Sequence, residues 1–417
     1  MLERVERDGA YATAALDADL GRYPQLDGLE SGLATELTYG CLRTGPALRT
    51  RLRALAPRGI AGGDARVLHE LLVAAYQILF LDRVPAYAAV DAAVGAVRTL
   101  RGKRVAGFAN AVLRRLAEQR GELQFVDAVV ESVPGWLVER LTTAVGEEQF
   151  RALVGAVERA APQLAARFVA GRERPRWAET LPRGRVYNDA YVLSGLGDPR
   201  DLTGYDTGDF VVQEEGAQVL ALAVGARAGD RVLDACAGHG QKSSLLRERI
   251  GDGGALWAAD LHPAKLEALQ REFERLRVGA VETRAIDWTV GTGDVPDDFD
   301  RVLVDAPCTG VGTLRRRPEI LPRLGPDDPA RLGELAGRIL RRAATRVRPG
   351  GRVVFAVCSV LPEECEAVVD RMNDLLEPVP FDAPELVSVA PADATRFRLL
   401  PGRHGTDGYF VASFRRR

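Results

Sequence analysis

Two cysteines of this 417-residue chain follow strand-like runs, at positions suited to covalent chemistry. Cys308 ends the run that begins at Asp305, and Cys358 stands just ahead of Pro362. A lone buried cysteine is commonly a packing residue, whereas a thiol near the start of a helix can shift toward the nucleophilic thiolate. The repeated strand-end position therefore predicts two working thiols, with Asp305 beside one of them. Cys236 and Cys365 lack this context and are expected to be packing residues.

A glycine-bearing loop follows an earlier strand-like run, between Asp234 and Lys242. Gly238 and Gly240 would let backbone approach a ligand closely, and the next helix would offer free N–H groups at its start. The loop is not a phosphate-binding P-loop, because Gln241 precedes the lysine. These features predict a nucleoside ligand without phosphate. The expected binding residues in this loop are Ala235, Cys236, Ala237, Gly238, His239 and Gly240.

Two further aspartates end the next two strand-like runs. In such folds an acidic residue at the position of Asp260 accepts hydrogen bonds from both ribose hydroxyls of a nucleoside, and Asp287 could reach an adenine. Each aspartate alone could equally cap the helix that follows it. Together with the glycine loop, the nucleoside interpretation is favoured.

The elements that must position these residues form an α/β pattern after Gly208. Short β-rich runs alternate there with helical segments, which predicts a parallel sheet built from βαβ units. Strands are expected at 230–235, 255–260, 281–286, 300–306 and 351–359, and helices at 242–250, 263–276, 329–347 and 362–376. A final strand pair, at 396–401 and 408–414, is expected to close the sheet as an antiparallel edge.

The first 145 residues have a different pattern, in which apolar residues recur at helical spacing. They predict an α-helical bundle, with Asp64 capping one of its helices. The expected division of the chain is a helical domain at 1–145, a connecting segment at 146–207 and the α/β domain at 208–417. Basic residues cluster at 98–104, 114–115 and 315–317, where they could contact phosphate or simply form solvated faces.

Composition excludes several classes of protein. The chain has 46% hydrophobic residues, a formal net charge of -2, five scattered cysteines and four separated histidines. This pattern supports neither a disulfide framework nor a metal site. The sequence has no apolar run of about 18 residues and no secretory pattern at Met1, so a cytoplasmic protein without membrane contact is expected. No sequence feature calls for more than a monomer.

Four stretches resemble the Sun family of RNA cytosine-5 methyltransferases. They are DACAGHGQKSSLL, DAPCTGVGTLRRRPEI, VCSVLPEECEAVV and LLPGRHGTDGYFVASF. The segment 71–116 is similar to the NusB-type RNA-binding domain that precedes the catalytic part in such enzymes. The resemblance implies a Rossmann-like methyltransferase domain that uses S-adenosylmethionine, preceded by an all-α NusB-like domain, and an RNA substrate, specifically small-subunit (16S) rRNA.

The resemblance also implies roles for the residues. Cys358 would add to C6 of cytosine, so that C5 can accept the methyl group, and Cys308 would resolve the adduct by eliminating the C5 proton. Asp305 would contact the ring near N3 and border the cofactor, and Lys242 would line the same pocket. The base would have to leave any stack to reach the site.

The sequence departs from the family pattern in three places, one of which is Val357, where the family usually has Thr before the nucleophile. The usual APGGKT of the cofactor loop is GHGQKS at 238–243, and the usual RRHPDIKW is RRRPEILP at 315–322. Two alternatives stay open: a tRNA cytosine-5 methyltransferase, and a catalytically degenerate NusB-like RNA-binding protein that serves assembly. A small-molecule methyltransferase is disfavoured because it would explain neither the helical half nor the paired cysteines.

Overall fold

The structure is a computed structural model that describes residues 1–57, 64–156, 164–193 and 195–417. Its residue contacts divide the chain into two compact units. The helical unit comprises Met1–Arg140, Phe150–Ala161 and Leu314–Leu324, and the sheet unit comprises Leu141–Gln149, Pro162–Thr313 and Gly325–Arg417. The division into 1–145, 146–207 and 208–417 stays a prediction of the sequence.

The N-terminal part of the chain is helical, as the apolar spacing predicts. Its helices, within the described residues, are α1 (Leu2–Arg7), α2 (Ala12–Leu20), α3 (Gly28–Leu55), α4 (Ala65–Phe80), α5 (Ala86–Glu118), α6 (Phe125–Glu131), α7 (Gly135–Val145) and α8 (Glu147–Val154). Asp64 caps α4, because its carboxylate accepts the Arg66 N–H at 2.8 Å. The predicted apolar face of α4, including Leu71, Leu72 and Ala75, is buried in the core of this region.

Helix α5 carries most of the N-terminal basic residues. Gly102 interrupts it with φ 79° and ψ -178°, so the helix is kinked inside the basic stretch. The basic side chains on either side of the kink are exposed: Arg98, Arg101, Lys103, Arg104, Arg114 and Arg115. Arg101 also pairs with Asp64. The α5 cations therefore form a solvent-facing basic surface.

A small antiparallel sheet occupies part of the segment that was expected to be a connector. Its strands are β1 (Leu164–Phe168), β2 (Tyr191–Leu193) and β3 (Phe210–Val212), in the order β2-β1-β3. Phe168 lies at its aromatic centre and packs edge-on against Tyr191, with ring centroids 4.8 Å apart. This segment thus has a small core of its own.

The large sheet has the predicted α/β architecture. Its parallel strands are β4 (Arg231–Asp234), β5 (Ala255–Asp260), β6 (Glu282–Ala285), β7 (Phe299–Asp305) and β8 (Val347–Val357). With β10 (Arg396–Leu399) and β11 (Tyr409–Arg416) the order of the sheet is β10-β11-β8-β7-β4-β5-β6. The helices of this part are α9 (Glu215–Ala223), α10 (Gln241–Ile250), α11 (Pro263–Leu276), α12 (Asp328–Ala344), α13 (Glu366–Val369) and α14 (Pro401–His404). The central strands β4, β5, β7 and β8 contribute buried apolar residues to the cores on both faces of the sheet, whereas the edge strand β6, Glu-Thr-Arg-Ala, is polar and more exposed.

The antiparallel edge is also confirmed. Strands β10 (Arg396–Leu399) and β11 (Tyr409–Arg416) pair with each other, and β11 joins the sheet beside β8. The short strand β9 (Leu376–Pro378) pairs with the far end of β11.

One predicted helix is wrong. The segment 362–376 was expected to be a single helix, but α13 covers only four residues and gives way to a 3₁₀ turn at Asp370–Met372 and then to β9. Cys365, with φ -108° and ψ -99°, is not helical. No helix therefore begins at Pro362, and the expected helix-terminus effect on Cys358 loses its basis. Helix α12 likewise ends at Ala344, before the predicted 347.

None of the described helices combines the length and the apolar character that crossing a membrane requires.

Candidate functional site

The predicted site residues follow the carboxyl ends of the five parallel strands, along a single edge of the sheet. In spatial order, Cys358 follows β8, Cys308 follows β7, the glycine loop follows β4, Asp260 ends β5 and Asp287 follows β6. The chain winds outward from β4 through β5 to β6 and then returns to place β7 on the other side of β4. Ligands of open α/β sheets bind at such a switch point.

The glycine loop is fixed from below by buried polar contacts. Asp234 is 1% exposed and accepts the Ser243 hydroxyl at 2.7 Å, which ties the end of β4 to the first turn of α10. Burial raises the pKa of Asp234 to about 6, with the nearby Asp305 carboxylate acting in the same direction. The Trp288 indole donates to the Ala235 carbonyl at 2.7 Å. The loop is therefore held rigidly before any ligand arrives.

The two glycines of this loop, Gly238 and Gly240, have different structural roles. Gly240 has φ 86°, and a Cβ there would lie 2.5 Å from the Leu269 side chain, so it lets α11 approach α10 closely. Gly238 has φ 56°, and a Cβ there would meet nothing within 4 Å. The space above the Gly238 backbone is thus open. Cys236 is a poor nucleophile, because burial and neighbouring carboxylates raise the pKa of its thiol well above the usual value.

Asp260 and Asp287 differ in their surroundings. Asp260 is nearly buried and accepts the Gly238 N–H at 3.1 Å and the His262 N–H at 2.9 Å, so its carboxylate is directed at the glycine loop. Asp287 is exposed and accepts both the N–H and the hydroxyl of Thr289, which hold its pKa below the usual value. Only a turn follows Asp287, so its carboxylate closes that turn and does not cap a helix as the alternative expected. Asp287 lies just beyond the end of β6, the strand that pairs with β5.

An ion pair spans the switch point. Lys242 Nζ lies 2.7 Å from Asp305 Oδ2, which joins α10 to the end of β7. Burial alone would lower the pKa of Lys242, but the Asp305 carboxylate raises it, and Cys358 contributes in the same direction. The lysine is therefore a fixed cation that interacts electrostatically with the Cys358 sulfur.

The two strand-end thiols meet. Cys308 Sγ lies 3.3 Å from Cys358 Sγ, and both residues are half-buried. The hydrogen bond with Cys358, together with burial, raises the pKa of Cys308 well above the usual value. Cys308 is thus a thiol at neutral pH that becomes a strong base once its proton is lost. Cys365, by contrast, is fully buried in the apolar core, as expected for a packing residue.

Sequence reasoning missed the residues that shape the two thiol loops. Gly312 donates its N–H to the Cys358 carbonyl at 3.0 Å and accepts the Gly408 N–H at 2.8 Å. Glu364 is buried between the residues that follow the two cysteines. In the sequence these residues are only a glycine four residues after Cys308 and an acid six residues after Cys358. Neither pattern predicts a role, because the contacts form only when folding brings the two loops together.

The described ranges contain no group of three or more histidine, cysteine or acidic side chains arranged to hold a metal ion.

Solved structures share the fold of this chain. PH0851 aligns with 93% of this chain and 91% of its own at a TM-score of 0.79 and 22% identity. NSun6 from Pyrococcus horikoshii aligns with 68% of this chain and 98% of its own at a TM-score of 0.54 and 16% identity. At these identities the likeness shows the fold alone, a helical region followed by a Rossmann-like α/β domain.

Family models and relatives then identify the family. Residues 220–415 match the model for the 16S rRNA methyltransferase RsmB/F family, and residues 1–118 match the NusB family. Ribosomal RNA small subunit methyltransferase B of Vibrio cholerae is 32% identical over 92% of this chain and 89% of its own length. Rv1407 of Mycobacterium tuberculosis is 34% identical over all of this chain and 94% of its own length. The chain belongs to the RsmB/F family of rRNA methyltransferases.

Proposed function

We propose that this protein transfers a methyl group from S-adenosylmethionine to C5 of a cytosine in small-subunit rRNA, through a covalent bond between Cys358 and C6. The 3.3 Å separation of the Cys308 and Cys358 sulfur atoms carries the proposal. A binding scaffold has no need for two thiols in contact at the ligand edge of the sheet, whereas making and breaking a carbon–sulfur bond has a use for both.

The residues of the glycine loop fit a nucleoside methyl donor. Space is open above Gly238, and the Asp260 carboxylate stands beside it with lone pairs left for ribose hydroxyls. Backbone of Ala235, Cys236, Ala237, His239 and Gly240 would line the donor, Asp287 would meet its adenine, and Lys242 and Asp305 would border its reactive end. S-adenosylmethionine, when bound there, would supply an activated methyl group.

In the first step the Cys358 thiolate forms a bond to C6, and the electrons of the C5–C6 double bond move toward C5 and the ring nitrogen. The Lys242 ammonium would stabilise the charge on the attacking sulfur. Asp305, partnered by that ammonium, is a hydrogen-bond acceptor suited to the amino group at C4 of cytosine. The ring is thereby held with C6 toward the sulfur, and C5 takes the methyl group.

Release needs a base for the proton left on C5. The Cys308 thiol first gives its own proton to solvent water. The C5–H bond then breaks toward the Cys308 thiolate, its electrons restore the C5–C6 double bond, and Cys358 leaves with the electron pair of the S–C6 bond. The raised pKa of Cys308 makes its thiolate strong enough for this role. One proton is released for each methyl group transferred.

The test is incubation of the protein with unmodified small-subunit rRNA and methyl-labelled S-adenosylmethionine, beside Cys358→Ala, Cys308→Ala and the control Cys41→Ala, which is remote in sequence from both thiol loops. We expect labelled 5-methylcytosine with the wild type and Cys41→Ala, less than about 0.1% of that rate with Cys358→Ala, and a trapped protein–RNA adduct with Cys308→Ala. Mass spectrometry locates the label.

Other outcomes would favour the alternatives. Label in tRNA and none in rRNA would keep the chemistry and change the substrate. Tight RNA binding without any methyl transfer, together with no binding of S-adenosylmethionine, would support the assembly protein with a degenerate catalytic half.

A further inference from the structure

Glu364 is a buried acid with no part in the chemistry above. Its side chain has no exposed surface, yet its carboxylate receives three hydrogen bonds. Thr309 donates its N–H to one oxygen and its hydroxyl to the other, both at 2.6 Å, and the Ser359 hydroxyl donates to the second oxygen at 2.5 Å. Short bonds from several donors are typical of a carboxylate held in its ionised form.

The donors are the residues that directly follow the two reactive thiols. Thr309 comes after Cys308, and Ser359 comes after Cys358. These donors lie 55 and 5 residues from Glu364 in the chain, so the carboxylate joins two loops that are far apart in sequence. Thr309 is 5% exposed and Ser359 is fully buried, so water does not compete for the bonds.

The strands do not provide this link by themselves. The ladder between β7 and β8 ends at Asp305 and Ala356, followed by a bond from the Ala306 N–H to the Ala356 carbonyl at 2.9 Å. Both cysteines lie beyond this point. Further along the Cys308 loop, the Gly312 N–H donates to the Cys358 carbonyl. Directly after Cys308, the loop is attached to the Cys358 loop through the hydrogen bonds of Thr309 to the Glu364 carboxylate.

Burial opposes this arrangement: it raises the pKa of Glu364 above the usual value, although the three donors act in the opposite direction. A buried carboxylate persists where its bonds fix a geometry that an apolar side chain would not fix. Its negative charge also helps raise the pKa of Cys308, in line with a thiol that keeps its proton until the last step.

We propose that Glu364 is a positioning residue that sets the separation of the Cys308 and Cys358 sulfur atoms by tying their two loops together. Its catalytic consequence rests on the proposed cysteine mechanism, but the separation itself does not. Glu364 touches neither RNA nor methyl donor in this assignment. It acts through the two thiols alone.

The decisive experiment measures the thiol separation without RNA or methyl donor. The diazene oxidant diamide converts two neighbouring thiols to a disulfide, taking both protons and two electrons onto its nitrogen atoms. We expect the wild type to form the Cys308–Cys358 disulfide, located by peptide mass spectrometry. In Glu364→Gln, which keeps the shape but exchanges one acceptor oxygen for a donor, we expect formation to slow by about 10-fold or more. The exposed acid Glu334, changed to Gln, is the matched control.

Variants that remove a single hydrogen-bond donor keep the proposal testable if Glu364→Gln fails to fold. Thr309→Val and Ser359→Ala each remove one hydroxyl donor, and each should slow disulfide formation less than Glu364→Gln does. Thr309→Ser keeps the hydroxyl and should restore the wild-type rate. Equal rates in the wild type, Thr309→Val, Ser359→Ala and any folded Glu364→Gln would overturn the proposal.

Kinetics separate a positioning role from a general effect on the fold. With rRNA as substrate, Glu364→Gln should lower kcat by about 10- to 100-fold while the KM for S-adenosylmethionine stays unchanged. A raised KM with unchanged kcat would contradict the assignment. If the wild type methylates no RNA, the proposed function fails, while the disulfide rates still test the role of Glu364.

Discussion

At the scale of single residues, Asp234 makes stability depend on pH. Its pKa rises from 3.8 to about 6 on folding, so its stabilising contribution is complete below about pH 4 and is lost as the pH rises through 6. Relative to Asp234→Asn, the wild type should lose about 3 kcal/mol of unfolding free energy between pH 4 and pH 7. Urea unfolding of both proteins across this range measures the difference. The exposed Asp297→Asn serves as control, and a difference that stays constant with pH would contradict the prediction.

Residue types at strand ends were predictable, but their partners were not. An apolar run followed by Asp260, Cys308 or Cys358 locates each residue at the ligand edge, because parallel strands present their carboxyl ends together. One of the two partners of Glu364, Thr309, lies 55 residues away, so no local pattern distinguishes Glu364 from a surface acid. The same holds for Asp234 and Ser243, whose contact depends on how α10 packs against β4.

At the scale of elements, the turn after Cys308 tolerates no side chain at Gly312. A Cβ there would lie 1.9 Å from the Gly408 carbonyl oxygen and 2.9 Å from that of Cys358. Gly312→Ala should therefore destabilise the protein by about 1–3 kcal/mol and displace the Cys358 loop. Gly291→Ala, where the nearest atom would be 4.0 Å away, should be nearly neutral. Thermal unfolding compares the two, and equal midpoints would show that the turn adapts.

The segment 362–376 shows why one element could not be predicted. Its sequence has the apolar spacing of a helix, but Glu364 turns inward to Thr309 and Ser359, and Leu376 pairs with Arg416 in β9 and β11. Tertiary contacts at both ends therefore outweigh local helix propensity. Where no such contacts intervene, as in 263–276, the predicted and observed helices coincide.

At the scale of the whole molecule, the exposed cations of α5 should govern how RNA affinity responds to salt. Binding releases about one counterion for each phosphate that a cation neutralises, so replacing Arg98, Lys103 and Arg104 together by Gln should reduce the slope of log affinity against log salt by about 2. The matched control replaces Arg331, Arg341 and Arg348, exposed cations paired with aspartates in the sheet unit. Filter binding of rRNA at several salt concentrations measures both slopes. Identical slopes for wild type and the α5 variant would exclude this surface from binding.

The segment Leu314–Leu324 determines which fragments of the gene can encode the complete helical unit. It lies far along the sequence, yet it packs in the helical unit, where the Arg315 carbonyl accepts Arg43 Nη2 at 2.7 Å and Arg323 donates to the Ala10 carbonyl at 2.6 Å. A truncated gene that ends at codon 156 would encode helices in which Arg43, 6% exposed, no longer has that acceptor. Adding the codons for 314–324 to such a fragment should restore the Arg315 carbonyl as the acceptor for Arg43. The two units are thus encoded by alternating stretches of one gene.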